Sequence, residues 1–251
     1  MTKHDATPAP VRPERSRHQV ARSAQGAAIA LALAIGAASA PADANMVLSD
    51  VIVDLQAPGE MRHDVDVRND GDDTLYVEVN VQRVPEPAID ASGRAPETDP
   101  RRAGLLASPR RLAIPPGERK RVRLVARQVP TEDDFVYRVA FVPKENEAQT
   151  AEAMAFKVLI GYEVLVLVRP PGAKPELTVQ RDGRKLHVEN RGRSSLLVRK
   201  LEYCEREPVE RCEELPGNRL YAGEVWDVEL PGDGGVRMHK TYRTENSVSA
   251  Y

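Results

Sequence analysis

Few side chains in this 251-residue chain have the types and the spacing that catalysis or metal binding requires. No two of its five histidines have the spacing of a pair of metal ligands: His4, His18, His63, His187 and His239. The chain also has no glycine-rich phosphate loop, nucleophile elbow or cysteine–histidine dyad. Catalytic triads can assemble from distant positions, but the lack of any recognised signature favours a protein that is not an enzyme and needs no metal or cofactor.

The first 44 residues have the parts of a secretory signal peptide. A stretch rich in arginine precedes an apolar run of Ala, Leu and Ile at residues 27–38, and Ala42-Asp43-Ala44 is a small-residue cleavage site. The apolar run is shorter than the roughly 20 residues that a membrane-spanning helix needs, so an uncleaved membrane anchor is the weaker alternative. We expect cleavage after Ala44, export to the periplasm and no stable membrane insertion.

Export places the two cysteines, Cys204 and Cys212, in an oxidising compartment. A lone pair of cysteines in such a compartment predicts a structural disulfide. A metal or redox pair is the alternative, but the spacing is not that of a CxxC motif, and no histidine lies nearby.

The overall charge limits the possible partners. The formal net charge is −2, and residues of both signs are interspersed over 29% of the chain. Because the net charge is slightly negative, we expect no nucleic-acid partner. We interpret the basic residues between positions 110 and 127 as a solubilising strand face and not as a docking surface.

Apolar and polar residues alternate with period two from Met46 onward, which predicts strands with one face in a core. Twenty prolines and sixteen glycines provide the turns that many short strands need. The first strand is expected at residues 46–55, and a hairpin is expected around Asp182-Gly183. A linker, Arg169-Pro170-Pro171-Gly172, would end a first β-sandwich domain at residues 45–170 and begin a smaller one at residues 171–251.

Residues 154–168 form the most apolar stretch of the expected mature chain and contain no turn signal. A strand of this length exceeds the usual length of about 5–6 residues. One interpretation is a long central strand of the sandwich. The other is an apolar edge used for β-augmentation, in which a partner strand pairs with the backbone and takes up alternate side chains.

In these features the sequence resembles the periplasmic chaperones of the chaperone–usher pilus pathway, for which donor-strand complementation of pilins is an established instance of β-augmentation. The matching motifs occur in order along nearly the whole mature chain: Asn69-Asp70, Ser108-Pro109-Arg110-Arg111-Leu112 with Ile114, Pro116 and Gly117, Arg121-Val122-Arg123-Leu124, Pro130 with Glu132, Asp133, Tyr137 and Arg138, Pro143, Arg169-Pro170, Asn190-Arg191-Gly192, the cysteine pair, and Ala222-Gly223-Glu224.

The resemblance implies an all-β protein of two immunoglobulin-like domains in a boomerang arrangement. It also implies that the last strand of the first domain is donated to an incomplete pilus subunit. Phe156, Val158 and Ile160 would then fill the groove of the subunit, with Met154 and Tyr162 flanking them. The implied partners are pilus subunits and an outer-membrane usher.

One departure from the family pattern concerns the anchor for the subunit's terminal carboxylate. Well-known branches use an Arg in the first strand and a Lys late in the donor strand. Here the first strand has no basic residue, and Leu165 stands at the Lys position. The chain is therefore similar to the divergent, archaic-type branch. Arg138 is the first candidate for a substitute anchor, ahead of Lys157 and Arg123, although each is also consistent with a solvated strand-face charge.

The sequence thus predicts a chaperone that delivers pilus subunits to an usher. The first alternative is a secreted immunoglobulin-like adhesion or structural module without a client. The second is a periplasmic hydrolase with a sandwich fold.

Overall fold

The computed structural model describes residues 46–88, 99–144, 159–205 and 211–251. Within these ranges the first part of the chain forms β1 (Met46–Leu48), β2 (Ile52–Gln56), β3 (Arg62–Asn69), β4 (Leu75–Val84), the short helix α1 (Pro100–Ala103), β5 (Leu105–Ser108), β6 (Arg111–Ile114), β7 (Arg119–Ala126), β8 (Phe135–Lys144) and β9 (Tyr162–Arg169). The second part forms β10 (Leu177–Asp182), β11 (Lys185–Asn190), β12 (Leu196–Glu205), β13 (Arg211–Leu220), β14 (Val225–Glu229), β15 (Gly235–Tyr242) and β16 (Glu245–Ala250).

Strands β1 to β9 form two sheets that share one hydrophobic core. The sheet orders are β1-β3-β7-β5 and β2-β9-β8-β4-β6. The predicted alternation is clearest in β4, where Leu75, Val77, Val79 and Val81 are buried and the residues between them are more exposed. Because successive side chains of a strand point to opposite faces, this pattern places one face of β4 in the core.

The first predicted strand, residues 46–55, is divided between the two sheets. β1 pairs antiparallel with β3, whereas β2 pairs parallel with β9, so the chain crosses from one sheet to the other at residues 49–51. The crossing shifts the alternation by one residue. The buried position in β1 is even-numbered, Met46, whereas the buried positions in β2 are odd-numbered, Val53 and Leu55. The prediction of one continuous strand was therefore wrong.

Strands β10 to β16 form a second pair of sheets around a second core. The orders are β10-β11-β14 and β13-β12-β15-β16. The expected hairpin is present, with β10 and β11 joined at Gly183, whose positive φ of 56° suits glycine. The predicted disulfide is also present, and it joins Cys204 of β12 to Cys212 of β13, which lie directly opposite each other.

Each sandwich contains a buried asparagine that holds a strand end and a turn together. In the first, Asn69 Nδ2 donates to the Asp73 and Ile114 carbonyls at 2.7 and 2.9 Å, and Asn69 Oδ1 accepts from the Gly71 N–H. In the second, Asn190 Nδ2 donates to three carbonyls, those of Ser194, Leu220 and Tyr221, at 3.0–3.1 Å. Two Asn-x-Gly turns with the same hydrogen-bonding role indicate that the two sandwiches are built on related plans.

Strand β13 was not predicted from the sequence. It contains Pro216 and Gly217, and most of its residues are polar or exposed. Proline is tolerated there because β13 pairs only with β12 in the order of its sheet and is therefore an edge strand. No helix in the described ranges is long and apolar enough to cross a membrane.

Candidate functional site

Strand β9 has a neighbour on both sides for only part of its length. On one side, β8 pairs with it from Tyr162 to Val168. On the other side, the pairing with β2 begins only at Leu165, whose N–H donates to the Val51 carbonyl at 3.0 Å. Within the described ranges, residues 162–164 therefore have a strand partner on one side only. Unpaired backbone groups of this kind can hydrogen-bond to another polypeptide.

Exposed apolar side chains lie just before residues 162–164 along the chain. Leu159 and Ile160 are 37% and 51% exposed, although both are large hydrophobic residues. Tyr162 is half-buried and packs against the first core. Gly161 lies so close to β8 that a Cβ atom there would be 3.1 Å from the Phe141 carbonyl oxygen. We define the open edge as residues 159–164.

The structure describes two of the five residues predicted to bind a subunit. Ile160 and Tyr162 lie on the open edge, at its start and near its middle. Met154, Phe156 and Val158 lie outside the described residues, as does Lys157, one of the three candidate anchors. The predicted strand of residues 154–168 is described only from residue 159, and its regular part begins at Tyr162.

The two remaining candidate cations have different surroundings. Arg138 of β8 lies opposite Leu165 of β9, and its Nε is 3.3 Å from the Glu163 carboxylate on the open edge. Arg123 lies on β7, in the other sheet, and makes two hydrogen bonds of 2.7 and 2.8 Å to Asp64. The Arg123 guanidinium lowers the pKa of the Asp64 carboxyl. Arg123 is thus engaged in a bidentate pair, whereas Arg138 lies beside the open edge.

The far end of β9 is held by a buried ionic network. Arg169 is 1% exposed and donates to both oxygens of Asp54, at 2.7 and 2.9 Å, and to Asp134 at 3.1 Å. It also donates to the Ser194 hydroxyl at 2.6 Å and to the Ser195 carbonyl at 2.8 Å, both in the second sandwich. This guanidinium therefore joins the last residue of β9 to the second sandwich.

Asp134 completes the same network from the first sandwich. Its carboxylate accepts from the Ser195 N–H at 2.7 Å and from the hydroxyls of Ser194 and Ser195 at 2.8 and 2.9 Å. Burial raises the pKa of Asp134, while the Arg169 charge and these donors oppose that rise. A buried charge with this many partners fixes the geometry where β9 leaves the first sandwich. The sequence marked Arg169 as part of a linker and of the Arg169-Pro170 motif, but did not predict its ionic partners.

The second face of β9 is also buried. Leu165 and Leu167 form a small cluster with Val136 of β8, and Val84 and Tyr221 pack against that cluster. Tyr221 follows β13, so a residue of the second sandwich contributes to covering this face. This contact explains why the second half of β9 is apolar on both faces. Nothing in the local sequence around Tyr221 predicts its position.

The described histidines take part in simple pairs with carboxylates. His63 lies 3.2 Å from Asp50, and His187 lies 2.6 Å from Asp227. The third, His239, lies 3.4 Å from Glu202. Among the residues that the structure describes, no group of three or more His, Cys, Asp and Glu side chains is placed to hold a metal ion.

No family model matches this chain, and neither does any curated protein sequence. Solved structures match its fold, and several of them are chaperones of fimbriae. The class 5 fimbriae chaperone CfaA is 19% identical, with a TM-score of 0.59, and the match covers 82% of this chain and 98% of that chain.

Two further matches are chaperones solved together with a subunit. The Salmonella enterica SafB chaperone in complex with the SafA pilin gives 17% identity and a TM-score of 0.59, covering 84% of this chain and 98% of that chain. The CsuC–CsuE chaperone–tip subunit complex from archaic chaperone–usher pili of Acinetobacter baumannii gives 12% identity and a TM-score of 0.54. This match covers 82% of this chain and 97% of that chain.

At these identities the likeness establishes the fold, and the predicted fold class is confirmed. The chain has the all-β fold of the chaperone–usher fimbrial chaperones, with two immunoglobulin-like β-sandwiches.

Proposed function

We propose that this chain is a periplasmic chaperone that binds pilus subunits by donor-strand complementation and delivers them to an outer-membrane usher. The observation that carries the proposal is the open edge of β9, where backbone groups lack a second strand partner among the described residues. The shared fold supports it, because some chaperones with this fold were solved in complex with a pilin or a tip subunit.

The open edge would bind a client through its backbone. Leu165 and the residues after it are already paired with β2, so a client strand would pair along residues 159–164 and the residues before them. Backbone hydrogen bonds in such a sheet extension supply affinity, and alternate side chains supply specificity. On this account the half-paired strand is a binding surface that is completed by the client.

Apolar side chains on alternate positions would supply most of the binding energy. Phe156, Val158 and Ile160 are the proposed groove-filling residues, and Met154 and Tyr162 would flank them. Burying one such side chain contributes about 1.5–3 kcal/mol. An exposed ion pair contributes only about 0–1 kcal/mol. The client is therefore expected to be recognised chiefly by its apolar groove.

Two features agree with a periplasmic location. The first is the signal peptide expected at residues 1–44, which lies outside the residues that the structure describes. The disulfide between Cys204 and Cys212 suits an oxidising compartment. The role needs no metal, nucleotide or catalytic group.

The test is co-expression with the secreted proteins encoded beside this chain, followed by purification of the complex. The triple variant Phe156→Asp, Val158→Asp, Ile160→Asp should lose the subunit and remain soluble, because charged side chains cannot enter an apolar groove. Val248→Asp is the matched control, since Val248 is 56% exposed on β16, in the second sandwich.

Two outcomes would contradict the proposal. Equal recovery of the subunit with the triple variant and with Val248→Asp would exclude the open edge as the binding surface. A wild-type chain that captures none of the neighbouring secreted proteins would favour an immunoglobulin-like module without a client.

A further inference from the structure

Strand β16 lies at the end of its sheet and pairs with β15 only, within the ranges that the structure describes. The Tyr251 N–H donates to the Val236 carbonyl at 2.8 Å, and the Val236 N–H donates to the Tyr251 carbonyl at 2.9 Å. Since hydrogen-bonded and non-hydrogen-bonded pairs alternate in an antiparallel ladder, the backbone groups of every second residue of β16 point away from β15. We define these residues as the β16 edge: Asn246, Val248 and Ala250.

The two edge strands of this sheet differ in their protection against further pairing. At the other edge, β13 contains Pro216 and four charged residues, and both features hinder the addition of a strand. β16 contains no proline, and its one charged residue, Glu245, is its first residue. Val248, in the middle of β16, is apolar and yet 56% exposed. The β16 edge is therefore suited to pairing with another strand.

The spacing of the β16 edge allows pairing with a second copy of the same strand. Two antiparallel copies related by a two-fold axis at Val248 place Asn246 opposite the partner's Ala250, and Val248 opposite the partner's Val248. All three residues of the β16 edge then form hydrogen-bonded pairs. A register shifted by two residues in either direction pairs only two of them. The resulting interface is isologous, which is the commonest arrangement in homodimers.

The side chains on both faces of the sheet suit this register. On one face, two Val248 side chains meet across the axis and cover apolar surface that a single chain exposes. On the other face, Lys240 of β15 reaches β16, where its Nζ donates to the Ser249 hydroxyl at 2.6 Å. The partner's Glu245 lies diagonal to Ser249 and within reach of that ammonium group. Neither Lys240 nor Glu245 has an ion-pair partner among the described residues, so the two charges complement each other across the axis.

We infer that β16 pairs with β16 of a second copy of this chain, so that two four-stranded sheets join into one continuous sheet. The pairing satisfies the backbone groups of an edge that is otherwise unprotected. β16 belongs to the second sandwich, and the pairing uses none of residues 159–164. The dimer therefore forms whether or not a client is bound.

A single cysteine on β16 tests the register. In a hydrogen-bonded antiparallel pair the two Cα atoms lie about 5.5 Å apart, a distance that a disulfide can span. Val248→Cys should therefore give a dimer on a non-reducing gel after export, since the native cysteines are already paired with each other. Asn246→Cys is the matched control, because the partner's residue 246 would lie four positions away along the sheet. No dimer with Val248→Cys, or equal amounts of dimer with both variants, would overturn the inference.

Sedimentation velocity over a series of protein concentrations measures the association without a cross-link. The wild-type chain should change from monomer to dimer as its concentration rises. Val248→Lys should raise the dissociation constant at least about ten-fold, because two ammonium groups would meet at the axis. Val225→Lys is the control and should associate like the wild type, since Val225 is 48% exposed on β14, an edge strand of another sheet. A wild-type chain that stays monomeric, or a Val248→Lys variant that dimerises like the wild type, would contradict the pairing.

Proline substitutions separate pairing from folding. The Val248 N–H points away from β15, so Val248→Pro should abolish the dimer and keep the melting temperature of the monomer nearly constant. The Ser249 N–H faces β15, so Ser249→Pro should lower the melting temperature. If Val248→Pro melts as low as Ser249→Pro, the Val248 N–H is needed within the sheet and is not available to a second copy.

Discussion

Two buried asparagines show how single residues determine the turns of this fold. Asn69 and Asn190 each end a strand, and each donates to buried or half-buried backbone carbonyl groups of a following turn and of a distant strand. An unsatisfied buried carbonyl is costly. In both sandwiches the asparagine that donates to these carbonyls is the first residue of an Asn-x-Gly turn.

We predict that Asn190→Ala lowers the free energy of unfolding by at least about 2 kcal/mol, because the variant removes the side-chain donor to the buried Ser194 and Leu220 carbonyls. Chemical denaturation followed by circular dichroism measures the change. Asn69→Ala should have a similar effect in the first sandwich. Asn80→Ala on β4 is the control, since Asn80 faces away from the core and only a small change is expected there.

Arg169 shows a second effect at the residue scale. We predict that Arg169→Met lowers the free energy of unfolding by about 3–5 kcal/mol, because it leaves the Asp134 carboxylate buried without its cation. Thermal unfolding measures the loss, and Arg62→Met, at an exposed position of β3, is the control.

A compensating change identifies the cause of that loss. The double variant Arg169→Met, Asp134→Leu should recover part of the stability, because it removes both buried charges. If Arg169→Met alone unfolds at the wild-type temperature, the network does not stabilise the junction between the sandwiches.

At the scale of the element, β9 combines two roles in eight residues. Its second half is buried on both faces, by the first core and by the cluster that includes Tyr221. Its first three residues have a neighbour on one side only. The start of β2 at Ile52 therefore determines how much of β9 is available to a partner, and the crossing at residues 49–51 determines where β2 starts.

Because Arg138 lies beside the open edge, we predict that it contributes to client capture and only weakly to folding. Arg138→Ala removes an exposed ion pair with Glu163, which is worth about 0–1 kcal/mol to stability. The melting temperature should therefore stay nearly constant while the amount of co-purified subunit falls. Unchanged recovery of the subunit would remove Arg138 from the proposed anchor.

At the scale of the whole molecule, the two sandwiches differ in how they are stabilised. The first has a large core of apolar residues from nine strands. The second has a smaller core and a disulfide across the edge pair β12 and β13. In a small domain a disulfide compensates for limited hydrophobic burial.

We predict that the double variant Cys204→Ser, Cys212→Ser lowers the free energy of unfolding by about 2–3 kcal/mol, mainly through the unfolded chain, which gains conformational freedom. Denaturation of the wild type with and without reductant provides the same comparison. At temperatures where the variant remains folded, client capture should persist, because the open edge lies in the first sandwich. Loss of capture by the folded variant would contradict that separation.

The sequence by itself determined the all-β class, the core faces of strands such as β4, the hairpin at Gly183 and the disulfide. These features depend on local alternation, on turn residues and on the pairing of two cysteines, all of which are visible along the chain. The division of residues 46–55 between two sheets is visible in the sequence as a one-residue shift in the apolar alternation. Strand β13 has no such signal, because an edge strand tolerates proline and polar residues.

Only the tertiary structure decided which edge of β9 is open, which residues cover its second face, and which cations lie beside it. The alternation of a strand specifies which side chains face inward, but it does not specify which strand lies alongside. Arg169 is a single arginine at a strand end in the sequence. In the structure it is surrounded by carboxylates and hydroxyls, because Asp54, Asp134 and Ser194 come from segments far away along the chain.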